Sequence, residues 1–229
     1  MKQALLIATS ALLFVQIIHA LPHMKRESVA VVVHGANSLH ETQGTAAEED
    51  DAKVQLVADT LTEIAVLAKW TLDKGSVVIR NSVKELNAIP VKDEQLQANI
   101  TRMSKVVEEI SRINMEEQEE VLLKLFTEMI EFATLLADYQ GMPECSKLQI
   151  TLKAALENNG FNKFDSEFKE KIVGVAKNFE TRFSEFSEGM TTAKKAKNAK
   201  LIHWYEEFKA ETGVEAKLDK FGEFFYLIS

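Results

Sequence analysis

From Ala52 to the C-terminus, apolar residues recur at steps of three and four. That spacing puts them on one face of a helix and scatters them over both faces of a strand. Val54, Val57, Leu61, Ile64 and Ala68 open the pattern, and Leu56, Leu67 and Trp70 widen it into a stripe with neighbours on two sides. Turn-rich folds need many glycines and prolines, and this chain has 9 and 3 in 229 residues. The spacing therefore predicts an all-α protein.

Helix boundaries follow from the breakers. Gly75 is expected to bend or interrupt the first helix, whose pattern resumes with Ile79, Val83 and Leu86 and stops before Pro90. A second region starts near Asp93 with Leu96, Ile100, Met103, Val107 and Ile110. Asn114 and Glu117 have the spacing of a capping box. Leu122, Leu125, Met129, Phe132 and Leu136 continue that stripe up to Gly141-Met142-Pro143, a candidate sub-boundary at 141–143. A short helix with Leu148, Leu152 and Leu156 ends at Asn158-Asn159-Gly160, and a longer one runs from about Asp165 to Met190. Two more carry Leu201, Tyr205 and Phe208, then Val214, Leu218, Phe221, Phe225 and Ile228. Five to seven amphipathic helices with short connections pack most simply as an antiparallel bundle over residues 53–229.

The N-terminus has a different character. Lys2 precedes the apolar runs Ala4–Ala8 and Ala11–Val15, and Ala20 supplies a small residue before Leu21. This is the layout of a secretory signal peptide over residues 1–20, and the run falls short of the roughly 20 apolar residues of a membrane span. Cleavage after Ala20 leaves 209 of the 229 residues and, with Lys2 removed, changes the net charge from −8 to −9. Residues 21–52 read as a flexible polar leader that ends in Glu48-Glu49-Asp50-Asp51. Its dibasic pair Lys25-Arg26 lies too near the cleavage point to release a useful peptide. The predicted destination is extracellular, and the acidic balance argues against a nucleic-acid partner.

With one cysteine, Cys145, no intrachain disulfide can form. Placed just after Pro143, it is expected in the first turn of the short helix, where the dipole favours a thiolate. The expected state is a buried or inert thiol, with a Cys145-linked homodimer as the alternative. No catalytic motif flanks it. The histidines offer no metal site, because none pairs with another at the i, i+4 spacing of a helical zinc site. Neither Glu116 nor Glu117 has a histidine three residues on, so Glu108-Glu109, Glu116-Glu117 and Glu119-Glu120 read as a solvated face. Lys194, Lys195, Lys197 and Lys200 are expected to pair with acidic helices. Asn99-Ile100-Thr101 is an N-glycosylation acceptor.

The distinctive feature of the mature chain is its aromatic stripe. Phe164, Phe168, Ile172, Val175, Phe179, Phe183 and Phe186 continue through Tyr205, Phe208, Phe221 and Phe225. Such a stripe forms either a solid core or the lining of an apolar ligand site. The expected function is that of a secreted, non-enzymatic helical protein that binds an apolar small molecule, lipid or protein partner, with no cofactor. The alternatives are a membrane-active helical protein of the pore-former or toxin kind, and a structural extracellular protein.

Overall fold

A computed structural model describes residues 6–21, 47–113 and 121–228. The described residues are all-helical, with no strand. The helices are α1 Leu6–Ala20, α2 Ala47–Asn87, α3 Glu94–Ser111, α4 Val121–Gly141, α5 Lys147–Asn158, α6 Phe161–Glu188, α7 Thr192–Lys197, α8 Ala199–Ala210 and α9 Val214–Ile228. The acidic tract at 48–51 falls in the opening turns of α2, inside the segment read as leader. Lys25-Arg26, the Asn114–Glu117 capping box, and the pairs Glu116-Glu117 and Glu119-Glu120 lie outside the described residues.

Caps set the boundaries. The Asp93 carboxylate accepts from the Leu96 backbone N–H at 2.9 Å and starts α3. Ser146 caps α5 by accepting from the Gln149 N–H at 3.1 Å. Gly160, at φ 90°, divides α5 from α6 in the left-handed conformation that a side chain disfavours. The chain turns there five residues earlier than Asp165, so Phe161 and Phe164 belong to α6 itself.

α2 is the longest helix, packing on α3, α4, α5 and α6. It runs through Gly75 without the interruption that the glycine suggested. Gly75 is there for space: a Cβ at this position would lie 2.3 Å from Cζ of Phe132, whose ring is fully buried. Gly75→Ala improves helix propensity yet forces that ring aside. We expect a net loss of about 1–3 kcal/mol in urea denaturation, and partial recovery when Phe132→Leu is added.

Polar links fix the arrangement of α2. Ser82 Oγ, fully buried, lies 2.9 Å from the Val78 carbonyl and 3.1 Å from the Ala155 carbonyl of α5. The Glu85 carboxylate accepts from Asn158 and Asn159 at 2.8 and 2.7 Å, at the end of α5. Glu63 accepts from Asn178 at 3.0 Å and pairs with Arg182 at 2.7 Å on α6.

The core is continuous along the helices, and α1 is inside it. Ile7, Leu13, Phe14, Ile17 and Ala20 are each at most 2% exposed. α1 lies mainly against α4 and α9, with a smaller contact to α6.

Candidate functional site: the aromatic cluster and the seat of α1

The aromatic stripe is a solid cluster. Phe179 sits at its centre, with ring centroids 4.7 Å from Phe221, 4.9 Å from Phe224, 5.4 Å from Phe208, 5.7 Å from Phe183 and 5.9 Å from Trp204. Most of these contacts are edge-on, the geometry favoured by the ring quadrupoles. Phe183 also stacks on Tyr205 at 4.1 Å. The Tyr205 hydroxyl donates to the Glu180 carbonyl at 2.7 Å, and burial pushes its phenol above the ordinary range. Trp204 Nε1 donates to the Lys220 carbonyl at 3.1 Å, tying α8 to α9. Every buried polar end in this cluster that the rings carry has a partner.

Of the residues read as the stripe, Phe164, Phe168, Ile172, Phe179, Phe183, Tyr205, Phe208, Phe221 and Phe225 are buried, and Val175 and Phe186 are half-buried. Phe164 belongs to a second group, stacked on Trp70 at 5.8 Å and edge-on to Phe132 at 6.1 Å. Sequence reasoning missed Phe224 and Trp204, both buried. The helical period was the available signal. Phe221, Phe224 and Phe225 stand three and four residues apart, so one face of α9 carries all three rings.

The seat of α1 joins this cluster at its edge. Phe14 meets Phe126 of α4 at 5.5 Å between ring centroids. Leu13 shares a crevice of only about 10 Å³ with Ile172, Leu218 and Phe221, so α1 fills its place closely. One contact is tighter and poorer. A Cβ at Gly222 would lie 1.4 Å from Gln16 Oε1, so α9 must be bare there. That buried amide oxygen has no hydrogen-bond partner. Leu12 and His19 are exposed, leaving one side of α1 open to solvent.

Two larger surface cavities have other characters. One of about 360 Å³ lies among α4, α5 and α6 and is lined by Tyr139, Lys153, Glu157, Asp165 and Lys169. Its charges are mixed in sign, and Lys169 donates to Asp165 at 2.6 Å. The other, about 290 Å³, is an open groove between α2 and α6 beside Val66, Trp70 and Lys171.

Cys145 is exposed, which corrects the expectation of a buried thiol. It precedes α5 by two residues, at φ 66°, because Ser146 rather than the Pro143 turn opens that helix. Cys145 therefore lies before the helix and not in its first turn. In the folded protein Cys145 should react with a thiol reagent as fast as in urea; a lag that urea abolishes would contradict the exposed position.

The remaining candidates are at the surface. Glu108 and Glu109 pair with Arg112 at 2.5 and 2.9 Å, as a solvated face would. Lys195, Lys197 and Lys200 are exposed, and inter-helix ion pairs near this end run from Lys217 to Glu180 and from Lys220 to Glu207. Asn99 is half-buried on α3, and its side chain donates to the Gln95 carbonyl at 2.9 Å. His203 is exposed, 3.4 Å from Glu207. Among the described residues no cluster of three or more His, Cys, Asp or Glu could hold a metal ion. No helix among them is long and apolar enough to cross a membrane. Comparisons with protein-family models, curated proteins and solved structures find no match for this chain.

Proposed function

We propose that this is an exported, non-enzymatic antiparallel bundle that binds an apolar ligand. Residues 1–20 act as its signal peptide. The observation that carries this reading is the position of α1. The segment with the layout of an export signal is also the helix held between α4 and α9, and a chain without it has an open apolar face. Phe126, Ile172, Leu218 and Phe221 line that face.

A seat for a 15-residue helix is about 22 Å long and about 10 Å across. A cylinder of that size encloses roughly 1,700 Å³, beyond the about 300–1,000 Å³ of typical small-molecule pockets. An apolar face so large is costly to leave in water, and a bound ligand offsets that cost. The solid aromatic cluster then serves as the wall of the site.

The test is to secrete the protein from animal cells using its own leader, then examine the medium by native mass spectrometry and lipid extraction. The expected result is a chain starting at Leu21 with an apolar molecule bound. A ligand-free chain with no lipid uptake would contradict it. Dye release from liposomes would favour the membrane-active alternative.

A further inference from the structure

We infer that the groove between α2 and α6 binds a small amphipathic organic anion, with its apolar body beside Gly174 and its charge on Lys171. The inference goes beyond the reading above and does not depend on removal of residues 1–20. None of the groove's lining residues belongs to α1, and the groove is open with α1 in place.

The first observation is a glycine that the fold itself does not require. Gly75, Gly174 and Gly222 stand in helix interiors, where glycine weakens a helix relative to alanine. At Gly75 and Gly222 close neighbours explain the choice, since an added Cβ would lie 2.3 Å from Phe132 and 1.4 Å from Gln16. At Gly174 a Cβ would meet nothing within 4 Å, so no packing within this chain calls for the gap. The missing side chain instead widens the groove, which Val66, Leu67 and Val175 line beside it. Val66 is 64% exposed, so apolar surface there is left uncovered. The space of about 290 Å³ matches the smaller ligand pockets, which start at about 300 Å³.

The second observation is the charge at the two ends. At one end the Glu63 carboxylate is already satisfied by Asn178 and Arg182, at 3.0 and 2.7 Å, and calls for no cation. Seven residues further along α2, a rise of roughly 10 Å, Trp70 marks the other end. Here the exposed Lys171 Nζ stands 4.8 Å from the centre of the Trp70 ring and forms no ion pair among the described residues. The indole face holds the ammonium at the rim without neutralising it. A carboxylate or sulfonate placed there gains a charge-assisted hydrogen bond. An apolar floor with one unmatched cation at its end fits a ligand that is hydrocarbon along its length and anionic at one tip.

The probe is anilinonaphthalene sulfonate, an aromatic anion that fluoresces in apolar surroundings, titrated into the full 229-residue chain. It should bind. Gly174→Leu fills the groove and should weaken binding at least tenfold, while its urea midpoint stays level or rises. Lys171→Glu should weaken binding about tenfold. Lys195→Glu, the same charge change on α7, should leave it unchanged. Acetic anhydride labelling read by mass spectrometry needs no variant: the probe should slow acetylation of Lys171 severalfold and leave Lys195 unaffected. No binding, equal binding by Gly174→Leu, or acetylation of Lys171 at the same rate with and without the probe would overturn the site. Loss of binding in Gly174→Leu but not in Lys171→Glu would overturn the anionic class alone. None of these outcomes bears on export or on the seat of α1, which are tested on the secreted chain.

Discussion

Phe179→Ala is expected to destabilise the protein by about 3–5 kcal/mol, the range for removing a fully buried aromatic side chain. The ring is 1% exposed and touches five other aromatic rings drawn from α6, α8 and α9. Its loss leaves a cavity that those rings cannot fill without giving up their edge-on contacts, so the site has little room to collapse. Urea denaturation followed by circular dichroism at the helical band measures the effect. A cost below about 1 kcal/mol, the level of an ordinary surface or boundary change, would mean that the cluster is not the packed centre described above. Phe186→Ala serves as the comparison. That ring is half-buried at the edge of the cluster, 5.7 Å from Phe183, and its removal should cost clearly less.

The second large effect depends on which form of the chain is studied. In the uncleaved protein, Phe14→Ala should cost about 3–5 kcal/mol, because Phe14 is fully buried against Phe126. In the exported protein the same substitution should cost nothing, since the residue leaves with the leader. Alanine keeps the leader apolar, so export itself should continue. Denaturation midpoints of both forms, with and without the substitution, make a four-way comparison. A stability loss in the secreted protein would show that residues 1–20 remain part of it.

Much of the fold was legible because burial follows helical spacing. All five residues of the Leu96–Ile110 stripe and all five of the Leu122–Leu136 stripe are buried. The breakers at Pro90 and Asn159-Gly160 also end helices where their backbone preferences require. Gly75 shows where such reading stops. A glycine within a helix can mark a bend or a close approach, and only the ring of Phe132 on another helix distinguishes them. Cys145 illustrates a second limit. Whether a helix starts at Pro143 or four residues later is decided by the Ser146 cap, and that choice moves the thiol from a first helical turn to an exposed left-handed position.

The site was half legible. The stripe residues were found, but their spacing is the same whether they enclose a ligand or pack on one another. That distinction depends on the relative placement of α6, α8 and α9, which no single helix encodes. The seat of α1 was hidden for a different reason. An export signal and a core helix make the same demand on sequence, an uncharged apolar run, so the pattern of residues 6–20 does not by itself tell one from the other.

The most direct measurement is a crystal structure of the protein purified from the medium of animal cells that secrete it through its own leader. The expected result is a chain beginning at Leu21, with continuous density for a ligand beside Phe126, Leu218 and Gly222. Finding residues 6–20 in that place, or α4 closed directly onto α9 with no space between them, would contradict it.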